Sequence, residues 1–303
     1  MLIKITLEKL LAVVVLFLCL TVPLTVTAQD EDASKAIKAE VFIKNRPATS
    51  SPKRSTVRYK PAAKSSTIAT TATPPAGTTF VQLGVTFWRV RPSTAGDKTK
   101  ELVEVAGSTQ RMEATLERIE EGTPLVPGQQ VRLSIESLSR DGYLYVIDRE
   151  QYADGTLGDP VLIFPTQKSL DANYIKAGRL IYIPSAPNVF EIRPTRGSSV
   201  HVGEVLTILV SSKPLIDPAL LSAKAIRLPR EQVLSWEKQW SNPATKFEME
   251  GGAGQAMTEK EQVAGANASQ ALTQDDPAPQ TVYRLAIKPD NPIVVSATLT
   301  FRK

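Results

Sequence analysis

The chain has 303 residues, a formal net charge of +5, 42% hydrophobic residues, one cysteine (Cys19) and one histidine (His201). That length supports a core stabilised by its own packing. The composition excludes a disulfide scaffold, a zinc site built on cysteines or several histidines, and any thiol nucleophile beyond residue 19.

Lys4 and Lys9 precede an apolar run from Leu10 to Leu20, and small residues follow at Val26-Thr27-Ala28. This is the layout of a secretory signal peptide over residues 1–28, cut between Ala28 and Gln29. The apolar run is shorter than the ~20 residues a spanning helix needs, and Pro23 interrupts it, so a retained anchor ranks second. Leu18 stands where lipid attachment at Cys19 would want a small residue. The expected location is therefore periplasmic or extracellular, with no transmembrane span after cleavage.

Residues 29–78 read as a disordered basic linker rich in Ser, Thr, Pro and Lys, with too few large apolar residues to offset the entropy of ordering. Only Ala39–Lys44 (AEVFIK) offers a short strand or contact point. Nine bases face one acid, Glu40, between Ala33 and Gly77, whereas everything from Thr78 onward sums to −1. The expected partner is an envelope protein, or an anionic envelope polymer drawn to this basic segment. A plain solvated spacer is the simpler reading of the same charges. Nucleic acid is not expected, because Tyr59 is the lone aromatic among the bases.

From residue 79 to 303 the pattern becomes short runs of period two. Phe80–Arg91 is β-branched and aromatic. Gln130–Ser139 alternates, with Val131, Leu133 and Ile135 opposite Arg132, Ser134 and Glu136, as in a half-buried strand. Gly142–Glu150, Pro160–Pro165, Arg179–Pro184, Val189–Pro194 and Glu204–Ser212 continue the series, and two runs follow from Thr281 and Pro292. The Asp141-Gly142 and Asp290-Asn291 turns predict tight hairpins. One helix is predicted over Leu228–Trp240, with Val233, Trp236 and Trp240 forming an apolar stripe that packs on a sheet. Residues 241–280 turn polar and read as a flexible insertion; Asn267 opens an Asn-Ala-Ser triplet that matches a glycosylation acceptor only formally. The fold class predicted is all-β, an antiparallel sandwich or barrel-like roll with one short peripheral helix.

Catalytic equipment is sparse. His201 enters a strand, where a surface or capping role is expected, and no G-x-S-x-G turn accompanies it. No phosphate-cradling glycine loop occurs, and no cofactor is expected. Carboxylates remain: Asp141, Asp148, Glu150, Asp154 and Asp159. Acid catalysis on a polysaccharide would need two of them facing across a substrate. Asp148, Glu150, Asp154 and Asp159 are also weak candidates for calcium, but Tyr152 and Ala153 break the ligand register of an EF-hand loop. The simpler reading makes Ala153–Thr156 a turn between strands, with its acid capping local amides. No catalytic residue and no metal site are expected.

The ordered series PGQQVRLSIESLSRDGYLYVIDREQ, VLIFPT, AGRLIYIPS, FEIRP and GEVLTILVSSKPL, from about Pro127 to Leu215, resembles the bacterial family described as domain of unknown function 4384. The resemblance implies an exported or envelope-associated β-rich module without established activity, and it supplies no catalytic residues. The expected function is an exported, non-catalytic binding or scaffold module. The alternatives are a carboxylate-based polysaccharide hydrolase and a calcium-stabilised adhesin-like domain.

Overall fold

The computed structural model describes residues 37–49, 56–62, 73–104, 110–195, 200–266 and 271–302. The signal-peptide segment, the first residues of the linker and Asn267 lie outside them. In chain order the strands are β1 (Ile37–Lys38), β2 (Arg58–Pro61), β3 (Thr79–Pro92), β4 (Glu101–Glu104), β5 (Arg111–Ile119), β6 (Pro124–Leu125), β7 (Gln130–Ser137) and β8 (Gly142–Tyr152). They continue with β9 (Val161–Phe164), β10 (Tyr174–Ile175), β11 (Leu180–Ile183), β12 (Phe190–Glu191), β13 (His201–Ser211) and β14 (Ile226–Arg227). The series closes with β15 (Ala244–Met249), β16 (Thr281–Ile287) and β17 (Ile293–Phe301). Among the described residues two α-helices, α1 (Arg230–Trp240) and α2 (Glu259–Ala266), and three short 3-10 helices join them.

The strands form two sheets, antiparallel except for the β6–β17 pair. In the larger, β3 is central: β16 and β5 lie along one side and β7 along the other, with β11 and β12 beyond β7. The smaller runs β14-β9-β8-β13-β17-β6. Period-two alternation aims Leu83, Val85, Phe87, Leu133 and Ile135 of one sheet at Leu144, Val146, Ile208, Val210 and Val295 of the other. The fold is thus an all-β sandwich, as predicted. Each fully buried aliphatic or aromatic side chain here contributes about 1.5–3 kcal/mol.

Both predicted hairpins are corrected. β7 and β8 belong to different sheets, and so do β16 and β17. The connections through Asp141-Gly142 and Asp290-Asn291 are arches that cross the sandwich. Alternation reveals which face of a strand is buried but not which sheet receives it, so hairpin and arch look alike in sequence. Arg140 ties the arches together: it donates to the carbonyls of Pro289 at 3.1 Å, Val210 at 3.1 Å and Asn291 at 2.5 Å. Gly142 serves close approach rather than a turn conformation. A Cβ there would lie 2.7 Å from the Ser211 carbonyl oxygen and 2.8 Å from Val210 Cγ1.

The predicted linker over residues 29–78 is also corrected, for its described part. β1 and β2 extend the large sheet beside β15, and Phe42, Ile43 and Tyr59 are buried with Phe247 and Val282. Tyr59, offered above as a lone stacking aromatic, instead donates to the Pro279 carbonyl. Arg46, counted among the linker's free charges, is buried. Its Nε and Nη2 donate to Glu136 at 2.7 and 2.6 Å, and Nη1 reaches the carbonyls of Thr273, Asp276 and Pro277. The few apolar residues of this segment cover the outer face of the sheet, so they need no core of their own.

Residues 241–280 are likewise not a free insertion in their described part. β15 pairs with β16 and β2, while α2 packs on β11. Buried Arg118 pairs with Glu261, donates to the Ala278 carbonyl at 2.9 Å and lies 4.9 Å over Trp88. These coverings explain why β7 is buried on both faces rather than half-buried: Arg132, Ser134 and Glu136 are all enclosed. On the other side, α1 lays Val233 and Trp236 against Tyr145, Ile147 and Leu209, with Trp240 stacked on Trp236 at 6.1 Å. The predicted apolar stripe packs on a sheet as expected, and α2 is an additional helix.

Candidate functional site

Two concavities sit at the open side and one end of the sandwich. They share Ile163 and Phe190 in their walls.

The smaller is a cavity of about 140 Å³ between the sheets, walled by Phe87, Ile163, Leu206, Leu299 and Phe301 together with Asp148 and Glu204. Antiparallel pairing sets Glu204 opposite Glu150 and Leu206 opposite Asp148, so the three acids share the inner face of β8 and β13. The Asp148 and Glu204 carboxyls lie against each other in the wall of this cavity. Asp148 Oδ1 and Glu204 Oε2 are buried and accept no hydrogen bond from any described donor. Two ionised carboxylates offer only acceptors, so the contact requires a shared proton. Burial raises the pair above the ordinary carboxylate range, and the charge of Asp148 raises Glu204 further. Glu150 behaves oppositely: against the desolvation that would raise it, hydroxyl donors on Thr195 and Tyr152 pull it below its usual value.

His201 is buried at this end, which corrects the expected surface placement; the capping role stands. The Thr195 amide donates to Nδ1 at 2.9 Å, and Nε2 lies 2.9 Å from the Gly203 carbonyl and 3.1 Å from Glu204. Its ring packs edge-on against Phe301. No side-chain hydroxyl meets it among the described residues, so the ring fixes a loop to a strand.

The remaining acids disperse. Asp141 accepts the Ala177 amide at 2.8 Å. Asp154 accepts the amide and hydroxyl of Thr156 at 2.9 and 2.7 Å, while Gly155 adopts φ +84°. The turn expected at Ala153–Thr156 is present. Asp159 bridges Arg230 at 2.8 Å and Arg227 at 3.2 Å. Of the four calcium candidates, only Asp148 and Glu150 share a face, and no cluster of three metal-ligating side chains occurs among the described residues. Glu204 escaped the sequence reading, though its signal was there: like Asp148, it occupies an inward position of a strand that is otherwise apolar.

The larger concavity is a groove of about 790 Å³ lined by one edge of β11 and by the end of β9 beyond its pairing with β14. A strand lining a groove with one face contributes alternate residues. β11 contributes every residue from Leu180 to Ile183, with Arg179 before and Pro184 after, so its edge faces the groove. Among the described residues its only strand partner is β7. Across the groove β9 adds the adjacent Ile163 and Phe164; β14 pairs only with Val161 and Leu162. The rim carries Lys168, Lys176, Arg179 and Lys224 against a single acid, Asp171. Arg179 Nη1 is buried without an acceptor. Lys176 and Arg179 share the turn between β10 and β11, while Lys168 and Lys224 come from distant segments, so the set is assembled only by the fold. Tyr174 stands 47% exposed on the rim, edge-on to Tyr143 at 5.0 Å.

No family model matches this chain, and no curated protein or solved structure matches it either. No described helix is long and apolar enough to cross a membrane.

Proposed function

We propose that this chain is an exported, non-catalytic binding module of a bacterial envelope, of the kind represented by the domain of unknown function 4384 family, and that it binds its partner in the groove between β9 and β11. The observation that carries this reading is the groove itself. It falls within the size range of ligand pockets, ~300–1,000 Å³, and is bordered by an edge of β11 that has no strand partner among the described residues. The leader-like first 28 residues support export, and the exposed bases of the N-terminal segment, such as Lys44 and Arg58, support contact with an anionic surface.

A carboxylate hydrolase has less in its favour. Acids that flank a scissile glycosidic bond stand roughly 5–10 Å apart. Asp148 and Glu204 instead touch each other inside a small apolar cavity.

The test combines fractionation with a blocked groove. Ala172→Trp and Ala223→Trp each fill an exposed position in the groove wall. Native chain in the exported fraction, beginning at Gln29 and retained by envelope material, with retention lost in both variants, supports the proposal. Equal retention of native and blocked chains overturns it, as does polysaccharide cleavage that disappears with Asp148→Asn.

A further inference from the structure

We propose that the groove takes an extended acidic peptide, added as a strand along the free edge of β11 and held by Lys168, Lys176, Arg179 and Lys224. The inference rests on the groove being the binding surface, and it names the occupant.

Four observations converge on that occupant. First, an edge facing a groove presents backbone N–H and C=O groups in register, and an extended peptide satisfies them by strand addition. Second, none of the four bases makes an ion pair or side-chain hydrogen bond among the described residues: Lys168, Lys176 and Lys224 are exposed, and half-buried Arg179 lacks the carboxylate that most other buried or half-buried arginines have. Third, the chain from Thr78 onward sums to −1, so four bases against Asp171 in one groove is a local excess of positive charge. Fourth, the buried Nη1 of Arg179 has no acceptor, and a guanidinium takes a carboxylate in two parallel hydrogen bonds. The edge geometry favours a peptide over an anionic polysaccharide, which has no amide ladder to pair.

The experiment is fluorescence anisotropy of the purified chain with four probes: an alternating Glu–Val octapeptide, the same peptide N-methylated at every second residue, an alternating Lys–Val octapeptide, and polygalacturonate. Binding of the Glu–Val peptide alone is expected. Lys176→Glu with Arg179→Glu should lower its affinity by about tenfold or more at low salt. Lys213→Glu with Lys238→Glu, both exposed outside the groove, should leave it unchanged. Arg179→Lys, which keeps the charge and loses the fork, should bind at an intermediate level, and thermal melts confirm that each variant folds. Equal binding of the methylated peptide or of polygalacturonate overturns strand addition, and equal binding of the Lys–Val peptide overturns the charge preference. If no peptide binds while Ala172→Trp and Ala223→Trp still abolish envelope retention, the acidic-peptide assignment fails and the groove stands. If the blocked variants also behave as native, both fall.

Discussion

The outer face of the large sheet and the open groove treat positive charge in opposite ways. On the sheet, Arg46, Arg118 and Arg132 are buried against Glu136, Glu261 and Glu101, with backbone carbonyls taking further donors. In the groove, three exposed lysines and half-buried Arg179 have no such partners, and of these only Arg179 encloses a donor, its Nη1, without an acceptor. A buried cation without a counter-charge is strongly unfavourable, so a chain that supplies partners wherever cations clamp its segments has met that constraint internally. Where it supplies none, the missing acceptor comes from water or from a ligand. The contrast separates cations that hold the fold from cations available for recognition.

The sharpest way to break the contrast is to remove a clamp. Glu136→Ala leaves Arg46 buried and unpaired and should lower unfolding stability by about 3–5 kcal/mol in denaturant titration. Arg46→Met combined with Glu136→Leu should restore only part of that loss: the apolar pair carries no desolvation penalty, but the carbonyls of Thr273, Asp276 and Pro277 lose their donor. A loss below about 1 kcal/mol for Glu136→Ala would mean that the N-terminal segment is not clamped to β7. Arg140→Ala should come next, at about 1–3 kcal/mol, because three arch carbonyls lose a charged donor.

The acidic cavity extends the comparison to carboxyl groups. Glu136 has a cation, whereas Asp148 and Glu204 have each other. Their raised values mean that the folded chain holds a proton more tightly than the unfolded chain does. Their contribution is therefore fully present at low pH and is lost as pH rises above the ordinary carboxylate range toward the raised values. Thermal melts across that window should show a downward slope that flattens in Asp148→Asn. An unchanged slope would remove the shared proton. The smallest effect belongs to the groove: Lys176→Ala with Arg179→Ala should stay within about 0.5 kcal/mol of native stability, as expected for side chains that make no ion pair or hydrogen bond among the described residues.

Much of the sandwich was legible in sequence because alternation is a direct record of burial. Val131, Leu133 and Ile135 face the core, and Tyr145 and Ile147 take the opposite face of β8 from Leu144 and Val146, just as their spacing implies. Sheet membership was not legible, because an arch and a hairpin share the same turn residues. The packing of residues 37–49 and 244–266 was hidden for a different reason. Polar composition suggests disorder, but Arg46 and Arg118 find their carboxylates across gaps of 90 and 143 residues. The site was only half visible: Asp148 and Glu150 were among the carboxylates singled out, whereas Glu204 was not, and the groove exists only once β9 and β11 are placed on the same side of the sandwich.

Hydrogen exchange with and without the Glu–Val octapeptide tests the central claim most directly, because it reads the backbone edges themselves. Added peptide should protect amides of Leu180–Ile183 in β11, with lesser protection around Ile163 and Phe164, and the effect should vanish in Lys176→Glu with Arg179→Glu. Protection confined to other surfaces, or no protection at saturating peptide, would contradict a groove built to receive an acidic strand.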